Sequence, residues 1–100
     1  MLARVTTVEG PPERMDDATR FVREQLLPQL QQLDGFKGFL ALGSRQSGKV
    51  LGVALWESEE ALRATDEAAA RISGGAAEAA GGTVASVENY EVIAGPIRVE

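Results

Sequence analysis

The sequence predicts an α+β fold in which strands and helices follow the order βαββαβ, and three observations carry this prediction. An apolar stripe of helical period runs from Met15 to Leu33. Two runs that are apolar at nearly every position, residues 36–44 and 49–57, flank the polar turn RQSG, which is typical of a hairpin. A chain of 100 residues without cysteine also has the ordinary size of one domain.

The first strand and first helix follow from the opening residues. Residues 2–8 mix β-branched and apolar side chains before the turn EGPP, which indicates a strand. Pro12 suits the first turn of a helix, where a missing N–H costs no hydrogen bond. Pro28 interrupts the helix and predicts a kink, but the helix continues because the stripe does. That stripe consists of Met15, Ala18, Val22, Leu26, Leu30 and Leu33.

The second half of the chain supplies the hairpin, a second helix and a last strand. Gly35 is expected to end the first helix in the left-handed conformation, and Ser58 is expected to cap the second. The buried stripe of this second helix is predicted to hold Ala61, Thr65, Ala68 and Ile72. The run SGGAAEAAGG, residues 73–82, has side chains too small to build much core, which predicts a mobile connection. Residues 83–93 read as the last strand.

This order is the split βαβ pattern of ferredoxin-like folds with an antiparallel sheet. Its helices cover one sheet face, yet the hairpin strands are apolar on both faces. An uncovered apolar sheet face would be an unusually large exposed patch for a monomer, so the sequence predicts a homodimer formed through the sheets. We expect one domain over residues 1–93 and a tail over residues 94–100.

Composition narrows the classes of function. The formal net charge of −5 has the wrong sign for nucleic-acid binding, which needs a basic surface. The chain has no histidine and no cysteine, the commonest metal ligands and nucleophiles. The apolar runs are far shorter than the roughly 20 residues that span a bilayer, so we expect a cytoplasmic protein without membrane contact.

Three motifs carry a family resemblance that covers nearly the whole chain. DGFKGF follows the first helix, VALWESEEAL joins the third strand to the second helix, and VENYEVI forms the last strand. Together they resemble the antibiotic biosynthesis monooxygenase family, whose members form dimeric α+β barrels. The resemblance implies a cofactor-independent monooxygenase that uses O₂ to oxidise a small electron-rich aromatic, such as a quinol or a polyketide-like ring, with no metal. The alternative is a non-catalytic dimeric binding or structural protein on the same scaffold.

The haem-degrading branch of that family fits the sequence at one position of three. Its tryptophan matches Trp56, but its histidine on the second helix has no counterpart, and its asparagine falls near Thr6 or Thr7. The quinol-oxidising members also carry this tryptophan, and they place an amide approximately where this chain has Gly52. The resemblance therefore favours quinol oxidation over haem degradation.

A pocket beside Trp56 is the predicted site. Strand alternation places Gly52, Ala54 and Trp56 on one side, where small residues next to one large ring leave space. Four residues of the first helix are predicted to complete an apolar substrate pocket: Met15, Phe21, Val22 and Leu26. The alternative is that Trp56 is ordinary core and that the small residues only let a helix pack closely.

Tyr90 and Arg4 are the predicted catalytic groups besides Trp56. Tyr90 is a candidate for orienting a substrate oxygen or relaying a proton, or else it is a surface aromatic. Arg4 lies within the first strand, where a cation would stabilise a bound phenolate. The alternative for Arg4 is an ion pair across the sheet or between subunits with Glu88 or Glu91.

Overall fold

The computed structural model describes residues 1–96 and contains four strands and two helical regions. The strands are β1 (Leu2–Glu9), β2 (Phe36–Gly43), β3 (Lys49–Trp56) and β4 (Thr83–Glu91). They form one sheet in the order β2-β3-β1-β4 with every pair antiparallel. The predicted ferredoxin-like α+β fold is confirmed. The last strand ends two residues earlier than predicted, and part of the predicted tail, residues 97–100, lies outside the described residues.

The first helical region is continuous but changes its winding before Pro28. It consists of a 3-10 turn (Pro12–Arg14), α1 (Met15–Phe21), a π-helical segment (Val22–Leu26) and α2 (Leu27–Gln31). The Leu27 N–H donates to the Val22 carbonyl five residues back. Because Pro28 has no N–H and its ring crowds the carbonyl four residues earlier, the wider π turn relieves the conflict that proline creates. The helix therefore passes through Pro28, as the stripe predicts.

The second helical region corrects one expectation. It divides at Thr65 into α3 (Glu59–Ala64) and α4 (Asp66–Ala79), and the Ser58 hydroxyl accepts from the Ala61 N–H at 3.1 Å, as predicted for the cap. The predicted mobile connection is wrong, because most of residues 73–82 belong to α4. Buried Ala77 and Ala80 anchor this part of the chain, and their packing outweighs the low helix propensity of its glycines.

A bulge near the start of β2 alters which side chains share a face. Phe36 pairs with Trp56 and Phe39 pairs with Ala54, with the register shifting between Phe36 and Gly38. Without the bulge, two residues three apart would point to opposite faces. With it, both rings lie on the helix-covered face.

The two sheet faces differ in cover. The main core lies on the helix side and includes Leu30, Trp56 and Leu62, with Trp56 at 0 % exposure. On the opposite face, Leu40 and Leu42 of β2 are 57 % and 49 % exposed. We call this surface the helix-free face. Across residues 1–96, no helix is long and apolar enough to cross a bilayer.

Candidate functional site

An apolar cavity lies between the sheet and the helices, and we call it the inner cavity. Its volume is about 60 Å³. Its wall combines three strands with both helical regions: Arg4, Thr6, Val8, Val22, Leu26, Leu30, Phe39, Ala41, Val50, Gly52, Ala54, Ala69, Ile72, Ser73 and Ala76. Arg4 is the one ionisable side chain among these described residues.

The strand register explains why space remains there. One row across the sheet contains Ala41, Gly52 and Thr6, which are direct neighbours on β2, β3 and β1. These side chains are short, so the sheet surface is low at this row. Small residues of α4 face it from above, including Ala69 and Ala76. A cavity follows because small side chains oppose one another across the two layers.

A second cavity adjoins the first towards β4, and we call it the outer cavity. Its volume is about 280 Å³, and four of its residues also line the inner cavity: Arg4, Thr6, Ala69 and Ser73. The other residues of its wall are Asp66, Ala70, Val87 and Asn89. The two cavities together form a pocket with an apolar inner end and a more polar outer end, and Arg4 lies at their junction.

Arg4 is a buried arginine held by the second helical region. It is 5 % exposed, and Nη2 donates to the Leu62 carbonyl at 2.6 Å and to Asp66 Oδ1 at 2.5 Å. Its guanidinium carbon also lies 5.6 Å from the centre of the Trp56 ring, within the range of a cation–π contact. The predicted alternative, a pair with Glu88 or Glu91, is wrong, because the side chain points to the helix-covered face and ends at Asp66.

Trp56 lies in the core next to this arginine and does not line either cavity. The ring meets Phe36 edge to face, with centroids 5.6 Å apart and planes at 67°. Its Nε1 is buried and has no hydrogen-bond partner among residues 1–96. A buried donor without a partner costs about 1–3 kcal/mol, so the indole is held by its packing and not by a polar contact. The structure therefore differs from the predicted tryptophan wall, since strand β3 presents Gly52 and Ala54 to the cavity and buries its last residue.

The other predicted pocket residues divide into two groups. Val22 and Leu26 line the inner cavity together with Gly52 and Ala54. Met15 and Phe21 lie outside both cavities. Met15 packs instead against Gly43, where a Cβ atom would come within 2.9 Å of its sulfur, and the Phe21 ring packs against α4. The stripe spacing places all four on the same helix but does not say which turn lies over the small residues.

Tyr90 lies away from both cavities. It pairs with Ala3 in the sheet, which places it on the helix-free face, and it is 50 % exposed. A hydrogen bond to Glu88 and the charge of that carboxylate raise the pKa of Tyr90. The phenol is therefore held protonated, and within one chain it does not meet Arg4.

Sequence reasoning did not assign Thr6, Phe39 or Ser73 to the pocket, although all three line it, and it did not foresee that Asp66 joins Arg4 there. The β2 bulge hides Phe39, since regular alternation assigns it to the wrong face. Asp66 joins Arg4 only through a contact that spans 62 positions of the chain. Thr6 is the exception, because its alternation with Arg4 on β1 places both on one face. Within residues 1–96, no three side chains of the metal-ligating types lie close together.

Comparison with known proteins gives relatives in sequence and in structure. No protein-family model matches the sequence. The Uncharacterized protein Rv2557 of Mycobacterium tuberculosis is 39 % identical over 92 residues, which cover 92 % of this chain and 41 % of that protein. The Uncharacterized protein Rv2558 of the same organism is 39 % identical over 90 residues, which cover 90 % and 38 %. The chain thus spans about two fifths of the length of these relatives.

The solved structures agree on the fold. A monooxygenase from the gene ActVA-Orf6 of Streptomyces coelicolor, in complex with nanaomycin D, has a TM-score of 0.67 at 20 % identity, over 99 % of this chain and 91 % of that one. The haem degrader MhuD of Mycobacterium tuberculosis, with two haems in its active site, has a TM-score of 0.69 at 25 % identity, over 96 % and 99 %.

A third match is a putative antibiotic biosynthesis monooxygenase of Deinococcus radiodurans, with a TM-score of 0.66 at 15 % identity, over 100 % of this chain and 99 % of that one. These three neighbours share the α+β, ferredoxin-like fold of this chain. The resemblance to the antibiotic biosynthesis monooxygenases is confirmed at the level of the fold. The ligands nanaomycin D and haem are those of the neighbours.

Proposed function

We propose that this chain is a cofactor-independent monooxygenase that oxidises a small electron-rich aromatic bound beside Arg4, where the two cavities meet. The observation that carries the proposal is a buried cation, Arg4, at the junction of an apolar cavity and a polar one. An aromatic ring with a phenolic oxygen matches this division, because the ring needs an apolar wall and the oxygen needs a donor. The monooxygenase-like fold supports the same class of reaction.

The reaction balances with O₂ as the only oxidant. One quinol and one O₂ give one hydroxyquinone and one water. One oxygen atom forms a new bond to a ring carbon, and the other leaves in the water with two hydrogens of the substrate. An electron-rich phenolate can transfer the first electron to O₂ itself, so the protein needs to bind, deprotonate and shield the substrate.

Arg4 and Asp66 have complementary roles in this proposal. A guanidinium near the phenolic oxygen favours the phenolate and thereby lowers the pKa of the bound substrate. Asp66 is the carboxylate in the wall of the outer cavity, and in this proposal it accepts the phenolic proton of the substrate. The apolar wall of the inner cavity limits the water on the side of the ring that faces it.

Oxygen uptake with simple quinols tests this proposal. We expect O₂ consumption and water formation at one to one with substrate, without added metal or flavin. Arg4→Met should lower kcat/KM at least tenfold, and Arg4→Lys should retain part of the activity because it keeps the charge. Arg20→Met is the matched control, since Arg20 is 63 % exposed and pairs with Asp17 away from both cavities. Equal activity in the Arg4 and Arg20 variants would remove Arg4 from the site.

A second function has one specific observation in its favour. The Arg4 guanidinium is already paired with Asp66, and the described wall of the inner cavity has no other ionisable group. A site of this kind can bind an aromatic without reacting. Saturable binding of quinols together with no O₂ uptake at any pH would support a non-catalytic binding protein and contradict the monooxygenase.

We further propose that the helix-free face is covered by a second copy of the chain. Leu40 and Leu42 of β2 are exposed at one edge of this face, and Tyr90 and Glu88 of β4 lie at the opposite edge. Val53 and Val5 pair between the two edges and form an apolar centre, and Glu88 adds a polar group at the border. A two-fold axis brings one patch against itself, so an apolar centre with a polar border is self-complementary. Sedimentation velocity should give a dimer at micromolar concentration, and Leu42→Glu should give a folded monomer. A wild-type monomer under these conditions would contradict the homodimer.

A further inference from the structure

Phe39 occupies the floor of the inner cavity directly over Gly52. A Cβ atom placed on Gly52 would lie 3.3 Å from Phe39 Cζ and 3.4 Å from Cε1. The ring therefore fills the space that a side chain at position 52 would otherwise take. It is held there by the β2 bulge, which turns Phe39 onto the helix-covered face opposite Ala54.

The two cavity volumes set a limit on the ligand. A cavity of about 150 Å³ is enough to hold one benzene ring. The outer cavity, at about 280 Å³, exceeds this size, whereas the inner cavity, at about 60 Å³, does not. A single ring therefore fits beside Arg4 in the outer cavity. A fused second ring that extends from there into the inner cavity exceeds its volume of about 60 Å³ and meets the Phe39 side chain.

From these observations we infer that the site takes single-ring quinols, and that Phe39 is the residue that excludes larger fused rings. The inference rests on the proposed function and narrows its substrate class. Phe39 acts here as a specificity-determining residue, since it limits the depth of the pocket and contributes no polar group. A smaller residue at position 39 would join the inner cavity to the space over Gly52.

Anaerobic calorimetric titrations with hydroquinone and 1,4-dihydroxynaphthalene test the inference, because without O₂ neither ligand is consumed. A second ring adds apolar surface, so an unrestricted pocket binds the naphthalene more tightly. We expect the wild-type protein to bind dihydroxynaphthalene no more tightly than hydroquinone. Phe39→Leu should raise the affinity for dihydroxynaphthalene relative to that for hydroquinone about tenfold. Tenfold is the lower bound for the effect of one methylene group in an apolar pocket.

Phe36→Leu is the matched control, because Phe36 lies on the same strand and face but packs on Trp56 outside the cavities. It should leave the ratio of affinities unchanged, and circular dichroism should show that both variants are folded. Phe39→Met serves as a second variant that retains more of the core packing.

Each outcome has one meaning. A wild-type preference for the naphthalene, or a ratio that Phe39→Leu and Phe39→Met leave unchanged, overturns the role of Phe39 while the proposed function stands. Failure of both ligands to bind the wild-type protein overturns the proposed function, and this inference with it.

Discussion

Two adjacent glycines in α4 should respond in opposite ways to the same substitution. Gly74 and Gly75 both lie inside the helix with ordinary helical backbone angles. A Cβ atom on Gly74 meets nothing within 4 Å, whereas a Cβ atom on Gly75 would lie 3.0 Å from Phe21 Cζ. The pair therefore separates helix propensity, which is the same for both, from packing, which differs.

The expected size of the effect follows from these distances. Alanine is favoured over glycine inside a helix by about 0.8–1.0 kcal/mol, and nothing opposes that gain at Gly74. Gly74→Ala should raise the free energy of unfolding by about 1 kcal/mol, which corresponds to roughly 4–8 °C in Tm for a domain of this size. At Gly75 the new methyl group presses on the Phe21 ring, so the gain should cancel or reverse.

Urea and thermal unfolding of the two variants provide the measurement. Phe21→Leu combined with Gly75→Ala should recover stability relative to the sum of the single changes, because the smaller side chain makes room for the methyl group. Equal stabilisation by Gly74→Ala and Gly75→Ala would refute the packing argument. Destabilisation by Gly74→Ala would refute the helix itself at this position.

Three further predictions concern charge and burial. Tyr90 is the only tyrosine, so the tyrosinate absorbance should titrate with a midpoint above pH 10, and this midpoint should be lower in Glu88→Gln. Because the pKa of Tyr90 is higher in the folded than in the unfolded protein, the protonated phenol stabilises the fold fully below pH 10, and this stabilisation is lost as the pH rises through the folded pKa. Asp66→Ala should lower the free energy of unfolding, measured in urea titrations, by about 1 kcal/mol. This loss is smaller than that for a fully buried charged hydrogen bond, because Asp66 is 63 % exposed. An unchanged free energy of unfolding would show that Arg4 does not need this partner. Trp56 is the only tryptophan and is fully buried, so its emission should be blue-shifted and resist acrylamide quenching, and a red-shifted, readily quenched emission would contradict its place in the core.

Local patterns in the sequence were enough for the fold and for one wall of the site. Alternation along β3 correctly places Gly52 and Ala54 on the helix-covered face, because a regular strand has a fixed period of two. The Ser58 cap is likewise a local signal, since it depends on residues three positions apart.

The remaining parts of the site depend on contacts that no local pattern encodes. The pair between Arg4 and Asp66 joins the first strand to the fourth helix, and either carboxylate of β4 was an equally reasonable partner by sequence. Phe39 reaches the cavity only because one extra residue shifts the register of β2. Residues 73–79 form a helix because neighbouring elements pack on Ala77. Helix propensity is a local property and does not include this tertiary packing.

The bulge in β2 also affects the tendency of this chain to aggregate through the edge of its sheet. Strand β2 is an edge strand, and its free backbone groups could pair with the edge of another molecule. The irregular register beside Lys37, with its charged side chain 50 % exposed, interrupts the flat run of donors and acceptors that such pairing requires. The same extra residue that turns Phe39 towards the cavity thus protects the sheet against open-ended growth of strands from chain to chain.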